Sequence, residues 1–305
     1  MSLVTVGTVA FDSIETPYGK VDKVVGGAAT YISLAASYFT KEAKLVAVVG
    51  DDFPEAELKY MRKRGIDLSG LQIKKGEKSF FWSGKYHENM NQRDTLDTQL
   101  NVLEHFNPVL PESYKTAKYV MLGNLQPGVQ MKVIKQMKKK PKLIVMDTMN
   151  FWMDIAMADL KKTIKKVDVL TINDEEARQL SGEYSLVTAA KKIHKMGPKF
   201  LVIKKGEHGA LLFADGKMFF APALPLAQVF DPTGAGDTFA GGFIGYLAQT
   251  DNISFENMKR AVIYGSAMAS FCVEEFSIAR LKHLKKSEIN KRVQQFVKLT
   301  RFSLK

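Results

Sequence analysis

The sequence Asp231-Pro232-Thr233-Gly234-Ala235-Gly236-Asp237 leads directly into an apolar segment that runs from Thr238 to Leu247. Two glycines flank an alanine, so this backbone can turn with several amides pointing in one direction. The helix predicted to begin there adds unpaired N–H groups and the positive end of its dipole, which favour a bound anion. Asp237 would repel that anion, but it makes sense as a general base beside a phosphoryl group. The heptapeptide therefore predicts a phosphate-binding loop with a base.

Around this loop, short β-branched segments alternate with amphipathic helical segments over most of the chain. This alternation favours an α/β fold with a doubly wound, mostly parallel sheet covered on both faces. Near residue 215 the pattern changes to a β-hairpin, because Ala214-Asp215-Gly216 is a turn sequence between residues 210–213 and 217–221. The other predicted strands are residues 3–9, 44–49, 119–122, 143–146, 169–172 and 200–203. The predicted helices are residues 28–39, 54–64, 128–137, 174–180 and 186–196, with a basic closing helix over 282–305.

Composition limits the class of protein. The 305 residues are 46% hydrophobic and carry a formal net charge of +12, which permits one large domain and favours anionic partners. Because the lysines are spread over many helical faces without interleaved aromatics, we expect no nucleic-acid partner. Cys272 is the only cysteine, so no intrachain disulfide can form, and its apolar neighbours predict a buried side chain. With no basic leader and no segment long enough to span a bilayer, we expect a cytoplasmic protein without a membrane partner.

Two segments, residues 13–25 and 77–100, interrupt the alternation of strands and helices. They could pair as a few β-strands above the carboxyl edge of the main sheet and form a lid. The alternative is that both are ordinary long loops. An exposed strand edge on such a lid would favour pairing between two subunits, so a homodimer formed through the lid is a further expectation.

The segment DPTGAGDTFAGGF, residues 231–243, resembles the C-terminal signature of the ribokinase-like (PfkB) sugar kinase family, and residues 26–30 resemble its N-terminal glycine pair. Each motif alone is weak, whereas the ordered set at family-like spacing is specific. The resemblance implies one ribokinase-like kinase domain over residues 1–305, with a small β lid formed by about 13–25 and 77–100. The intervening motifs are Val6-Gly7 followed by Asp12, Val49-Gly50-Asp51-Asp52, Asp147-Thr148-Met149-Asn150, Asn173-Asp174-Glu175-Glu176, and residues 202–209.

For the catalytic centre, the resemblance implies that Asp237 takes the proton of the acceptor hydroxyl. Thr233 and the amides of Gly234, Ala235 and Gly236 would then hold the phosphates of ATP and the transferred phosphoryl group. The chemistry agrees with these roles, because an alcohol becomes a better nucleophile as its proton leaves and fixed amides neutralise charge without moving. The alternative for Asp237 is a carboxylate placed to favour the helix dipole, and both roles are compatible.

Asn173 and Glu176 match a family motif associated with magnesium and phosphate positioning. Magnesium prefers oxygen ligands and keeps several waters, so Glu176 is expected to act through water. The alternative is that Asn173 simply caps the following helix, with Glu176 in its favourable first turn.

The resemblance also places Lys205, Gly206 and Gly209 at the bound nucleotide. Lys205 departs from the threonine that is usual before the glycine, so its ammonium either approaches the ATP phosphates or points to solvent. Adenine in this fold is expected between the last helices, so residues 261–271 are candidates for its pocket, although small residues there are also what close helix packing requires.

For the acceptor, the resemblance implies that Asp12, Gly26, Gly27 and Thr30 bind the substrate, because a carboxylate accepts two hydroxyl hydrogens and glycines leave room for a polyol. Ribokinase continues its glycine pair with lysine, glycine and asparagine, and the different residues 28–30 here put ribose specificity in doubt. The aromatic residues Phe11, Phe81 and Trp82 could stack on the acceptor or form the core of the lid, and we favour the core.

These observations predict a kinase that uses ATP and Mg²⁺, with a monovalent cation as a further candidate, and that phosphorylates a hydroxyl of a sugar or sugar-like small molecule. One alternative is a nucleoside kinase of the same fold. Another is a nucleotide- or sugar-binding sensor without catalysis, although a sensor has no need of the base at Asp237. A third, a basic protein associated with RNA or DNA, predicts steeply salt-dependent binding.

Overall fold

Two β-sheets organise the computed structural model, which describes residues 1–303. Nine strands form the larger sheet in the order β13-β12-β11-β10-β9-β8-β1-β4-β5, and four form the smaller sheet in the order β3-β2-β6-β7. The strands are β1 (Leu3–Val6), β2 (Ala10–Thr16), β3 (Gly19–Gly26), β4 (Ala43–Gly50), β5 (Ile66–Lys74), β6 (Phe80–Tyr86), β7 (Arg93–Gln99), β8 (Tyr119–Leu122), β9 (Leu143–Asp147), β10 (Val169–Asn173), β11 (Phe200–Lys204), β12 (Ala210–Ala214) and β13 (Lys217–Ala221).

Helices cover both faces of the larger sheet. Their bounds are α1 (Ala28–Ala36), α2 (Glu55–Lys63), α3 (Pro127–Gln136), α4 (Asn150–Ile155), α5 (Met157–Ile164), α6 (Asp174–Ser181), α7 (Leu186–His194), α8 (Ala235–Thr250), α9 (Phe255–Cys272), α10 (Ala279–His283) and α11 (Lys286–Thr300). Neighbouring residues of β1 face opposite sides, so Leu3 packs in one core with α1, α8 and α9, and Val4 packs in another with α3, α5, α6 and α7. Within the described residues, no helix is long and apolar enough to cross a membrane.

The seven strands from β11 to β5 run parallel, and only β12 opposes its neighbours. This arrangement confirms the predicted doubly wound, mostly parallel α/β sheet. The strand order reverses at β1, which lies between β8 and β4. In open α/β sheets, ligands bind beyond the carboxyl ends of the strands at such a reversal point. The carboxyl ends of β9, β10 and β11 therefore share one edge with the segment that follows β1.

The smaller sheet contains residues from both segments that interrupt the alternation. Strands β2 and β6 pair in parallel, and each also pairs with an antiparallel neighbour. The predicted first strand was too long, because the chain leaves the larger sheet after Val6 and begins β2 at Ala10. Gly7 permits this departure, since a methyl group there would lie 3.0 Å from the backbone nitrogen of Ala29.

Several further elements differ from the predictions. Strand β5 and helices α4 and α5 were not predicted, and β5 alternates apolar with polar residues because it lies at the sheet edge. The closing helix predicted over 282–305 is two helices, α10 and α11, separated by extended backbone at Leu284. There the Glu288 carboxylate accepts the Lys285 N–H at 2.8 Å and starts a new helix. Residues 304–305 lie outside the described residues.

Candidate active site

The predicted anion loop lies at the amino end of α8, where Gly234 adopts a left-handed conformation with φ of +73°. A methyl group on Gly234 would lie 2.4 Å from the buried ring of Tyr31, so this position requires glycine for two separate reasons. The Asp231 carboxylate fixes the loop by accepting the N–H groups of Thr233 at 2.8 Å and Ser277 at 2.9 Å. Asp231 thus shapes the start of the loop and bonds it to Ser277, just before α10.

Not every predicted amide of the loop is equally free. The Ala235 N–H donates to the carbonyl of Pro232 at 3.1 Å. The N–H groups of Gly236 and Asp237, in the first turn of α8, donate to no backbone carbonyl of the preceding loop. An anion at this helix start therefore meets Gly236 and Asp237 amides first, with Gly234 beside them.

Asp237 lies half-buried in the first turn of α8. Burial, reinforced by the charge of Asp147, raises its pKa to about 7, while the cations Lys204 and Arg93 oppose that shift. A carboxyl with this pKa can accept a proton near neutral pH, which is the requirement for a general base. Its position in the first turn of α8 places it beside the predicted anion loop.

A lysine that the sequence did not single out lies beside this loop. Lys204 ends β11, and its ammonium contacts the carboxylate of Asp147, at the end of β9, at 2.8 Å. Their side chains are only 17% and 6% exposed. Burial opposes the charge on Lys204, but Asp147 and Glu176 together raise its pKa above the ordinary value, so it stays protonated. A methyl group on Gly236 would lie 3.2 Å from the Lys204 nitrogen, which places that cation next to the anion loop.

Asn173 and Glu176 form a reciprocal cap at the start of α6. The Asn173 side chain accepts the Glu176 N–H, and the Glu176 carboxylate accepts the Asn173 N–H, both at 2.7 Å. The capping role of Asn173 is therefore present. Burial raises the pKa of Glu176 to about 7, against the opposing charge of Lys204. The side chain is thus both a helix cap and a buried carboxylate facing the Lys204 and Asp147 pair.

The loop after β11 contains the other nucleotide-binding candidates. Gly206 and Gly209 have φ values of +55° and +83°, and a methyl group on Gly209 would lie 2.0 Å from the Ala221 carbonyl oxygen. The Lys205 N–H closes the loop by donating to the Gly209 carbonyl at 2.7 Å. The Lys205 ammonium lies 6.0 Å from the ring centroid of Phe220, whereas the Lys204 ammonium points to Asp147.

The acceptor candidates meet where β2, β3 and α1 converge. The Asp12 carboxylate occupies the space beside Gly26, because a methyl group there would lie 1.8 Å from its oxygen. Gly27 has a φ of +92°, and the buried Thr30 hydroxyl donates to the Gly26 carbonyl at 2.7 Å. Burial, followed by the charges of Asp231 and Asp237, raises the pKa of Asp12 to about 7. The Thr30 hydroxyl therefore holds the backbone of the glycine pair and is not turned toward an acceptor molecule.

The smaller sheet contributes three further groups to this region. The Thr233 hydroxyl donates to the Tyr86 hydroxyl of β6 at 3.1 Å, and Arg93 of β7 lowers the pKa of Asp237 through its charge. Trp82 pairs directly with Asp12 across β6 and β2, so both side chains project from the same face of the sheet. Phe11 is different, since it is buried against Phe53 with ring centroids 5.4 Å apart, and it belongs to the core.

The residues fit a nucleotide with a hard metal ion. Asp147 and Glu176 supply carboxylate oxygens. Because residue 236 is glycine, no side chain fills the space between its backbone and the Lys204 ammonium. Among residues 1–303, no group of three or more histidines, cysteines or acidic residues is arranged to hold a metal. One or two protein oxygens together with phosphates and waters is the usual environment of Mg²⁺ in phosphoryl-transfer sites.

Comparison with protein families gives a match to the pfkB family carbohydrate kinase model over residues 2–282. The chain is 31% identical over 248 residues to the cytidine kinase of Thermococcus kodakarensis, covering 80% of this chain and 87% of that protein. It is 25% identical over 291 residues to a nucleoside kinase of Methanothermobacter thermautotrophicus, covering 90% of this chain and 89% of that protein.

Among solved structures, a putative ribokinase II from E. coli in complex with ATP and Mg²⁺ matches with a TM-score of 0.80 at 17% identity, covering 96% of this chain and 99% of that chain. Nucleoside kinase from Burkholderia thailandensis in complex with inosine matches with a TM-score of 0.76 at 18% identity, covering 96% and 98%. The ribokinase-like fold with its second, smaller sheet is thereby confirmed. On the family match and the 31% identical relative, the chain belongs to the pfkB family of carbohydrate kinases, which phosphorylate hydroxyl groups.

Proposed function

We propose that this kinase transfers the γ-phosphoryl group of ATP to a hydroxyl of a sugar or nucleoside, with Asp237 as general base. The observation that carries this proposal is the position of Asp237 in the first turn of α8, directly after the anion loop. From there its charge acts on Asp12 on the acceptor side and on Lys204 on the phosphate side. The base thus lies between the two substrates that must meet.

In the proposed reaction, Asp12 accepts hydrogen bonds from acceptor hydroxyls above Gly26 and Gly27. The amides of Gly234 and Gly236 hold the phosphates, while the Ala235 amide stays bonded to the Pro232 carbonyl and keeps the loop in shape. The Thr233 hydroxyl joins them by donating to a phosphate oxygen while it accepts the proton of the Tyr86 hydroxyl. Asp237 takes the proton of the acceptor hydroxyl while the oxygen of that hydroxyl bonds to the γ-phosphorus. The bond between the γ-phosphorus and the oxygen that bridges it to the β-phosphate breaks at the same time and releases ADP. The amides act without reorganising because the loop is fixed by Asp231.

Kinases of this family use ATP with a divalent metal. We propose that Glu176 holds Mg²⁺ through water, with Asn173 fixing the carboxylate through the cap. Magnesium bound there would neutralise phosphate charge. Lys205, Gly206 and Gly209 would contact the nucleotide beyond its phosphates. A monovalent-cation requirement stays a prediction, and turnover in potassium chloride compared with choline chloride measures it.

We further propose that residues 1–305 act as one kinase domain in which the segments 13–25 and 77–100 form a lid. The Tyr86 contact to Thr233 and the Arg93 charge at Asp237 support a closing role, since both bring the smaller sheet to the anion loop. A closed lid excludes water that would otherwise accept the phosphoryl group. The outer strands β3 and β7 have one strand neighbour each within the described residues, which supports pairing of two lids into a homodimer. Sedimentation velocity tests the dimer.

A nucleoside is the acceptor class that one observation favours. Trp82 projects from the same sheet face as Asp12, and a methyl group on Gly84 would lie 2.2 Å from its ring, so the six-membered ring of the indole lies over that glycine. A flat aromatic surface next to the hydroxyl-binding carboxylate suits a stacked base. The names of two relatives, a cytidine kinase and a nucleoside kinase, agree with this choice.

The test is an acceptor screen that measures ADP release with nucleosides, ribose, other sugars and phosphosugars. Turnover with one class identifies the acceptor, and Trp82→Leu should raise KM about 10-fold for nucleosides but not for free sugars. ATP binding without turnover on any acceptor would support the sensor alternative instead. Salt-dependent binding of RNA or DNA would support the third alternative. The cytoplasmic location stays a prediction, tested by cell fractionation.

A further inference from the structure

Lys204 stands among three carboxylates at the carboxyl edge of the larger sheet. It contacts Asp147, and its charge acts on Glu176 and Asp237. A structural role would need only Asp147, because one carboxylate neutralises one ammonium. Yet the nitrogen also lies within 3.2 Å of the position that a Gly236 side chain would occupy, and that space adjoins the free amides at the start of α8.

We propose that Lys204 is a phosphate-binding catalytic residue that donates to an oxygen of the transferred phosphoryl group while it remains bound to Asp147. The inference rests on the proposed function, and it assigns a role to a lysine that the motifs did not identify. An ammonium has three donors and one contact to Asp147 leaves others available. Because Lys204 is buried and anchored, it loses little conformational freedom when the phosphate binds.

The charge balance of the site supports this assignment. Asp147, Glu176 and Asp237 bring negative charge to the place where a phosphoryl group must bind, and Arg93 of β7 is the other cation acting there. Arg93 is carried by the smaller sheet, whereas Lys204 belongs to the larger sheet and is present whatever the position of the lid. Lys204 therefore supplies the fixed part of the positive charge.

The main test is the binding of AMP-PNP and of ADP, measured by titration calorimetry with and without Mg²⁺. Lys204→Met should weaken AMP-PNP binding about 10-fold or more and ADP binding much less, because only AMP-PNP carries the γ-phosphate. Lys204→Arg should retain part of the affinity. Equal AMP-PNP affinity in Lys204→Met and the wild type would overturn the proposal.

A control separates phosphate binding from simple neutralisation of Asp147. In Lys204→Met/Asp147→Asn both charges are removed, so the fold no longer contains an unpaired buried carboxylate. Because Asp147 is also a candidate oxygen ligand for Mg²⁺, this double variant is compared with the wild type without Mg²⁺. The AMP-PNP defect should persist there, and restored affinity would contradict the proposal. Lys282→Met is the matched control for losing a half-buried ion pair, since Lys282 and Glu57 contact at 2.7 Å with side chains 24% and 21% exposed, and join α10 to α2. It should leave AMP-PNP affinity unchanged.

A second readout is the pH dependence of turnover. The groups facing Asp237 are Asp147 of β9, Lys204 of β11, Arg93 of β7, Asp12 of β2 and Cys272 of α9. Removing Lys204 leaves Asp147 to act on the base, so the acid limb of kcat/KM should move up by about one pH unit. An unmoved limb would contradict the proposal. If Asp237→Asn keeps its turnover while Lys204→Met loses AMP-PNP binding, the assigned base fails and the phosphate contact stands.

Discussion

The conformation of Gly234 allows a sharp prediction about the anion loop. Gly234 and Gly182 have nearly the same positive φ, +73° and +70°, but a methyl group on Gly234 would lie 2.4 Å from the Tyr31 ring, whereas one on Gly182 would meet nothing within 4 Å. Alanine at either position costs about 1 kcal/mol for the left-handed backbone. At Gly234 the collision with a buried ring adds about 2 kcal/mol.

We therefore expect Gly182→Ala to lower the free energy of unfolding by about 1 kcal/mol and Gly234→Ala by about 3 kcal/mol. Urea denaturation followed by circular dichroism measures both, and unchanged m-values would show that the unfolded states are comparable. Turnover should fall about 10²-fold in Gly234→Ala alone, because a displacement near 1 Å removes the amides from the phosphate. Equal stability losses in the two variants would refute the argument that Tyr31 fixes the loop.

Three further predictions concern the ionisable groups and the cap. Since Asp237 works as a base only when ionised and has a pKa raised to about 7, kcat/KM should fall with a slope of at least one as the pH drops below about 7, and a flat profile down to pH 5 would contradict this. Asp12 has its pKa raised from 3.8 to about 7, so its contribution to stability is present below pH 4 and lost as the pH rises through 7. Asp12→Asn should consequently stabilise the unliganded protein at pH 8, by an amount that shrinks toward pH 4, and it should weaken acceptor binding. Denaturation at pH 8 and pH 4 measures the change in stability, and a gain that did not vary with pH would contradict this prediction. Asn173→Ala should lower the free energy of unfolding by about 1 kcal/mol through the lost cap and raise the Mg²⁺ concentration needed for half-maximal turnover. The control Ser254→Ala, which removes the cap of α9, should lower stability alone. The same Mg²⁺ dependence in both variants would show that Asn173 has no role at the metal.

The predictable parts of the fold are those in which the local pattern of apolar residues indicates which side chains are buried. The buried parallel strands are continuous apolar runs, and the amphipathic helices between them have a clear period. Strand β5 escaped prediction because an edge strand needs apolar residues on only part of its surface, and Asp67 and Ser69 interrupt its run. The break between α10 and α11 depends on a side chain of the next turn, Glu288, and not on a proline or glycine.

The site was predictable where a motif carries its own backbone requirement, as Gly234 does with its left-handed conformation. The site was not predictable where two side chains distant in sequence come together only because their strands are close in the sheet. Lys204 and Asp147 are 57 positions apart, and they come together because β9 and β11 flank β10. One available signal was a lysine ending the apolar strand that spans 200–204, next to the lysine that the motif did mark.

The role of Asp237 as the base of the phosphoryl transfer is tested most directly by measuring turnover of the Asp237→Asn variant. ADP release in the presence of a competent acceptor should fall about 10²-fold or more, while calorimetry should show ATP affinity within a few-fold of the wild type. Asparagine keeps the shape of the side chain but cannot take the proton. Turnover near the wild-type value with intact ATP binding would contradict the account.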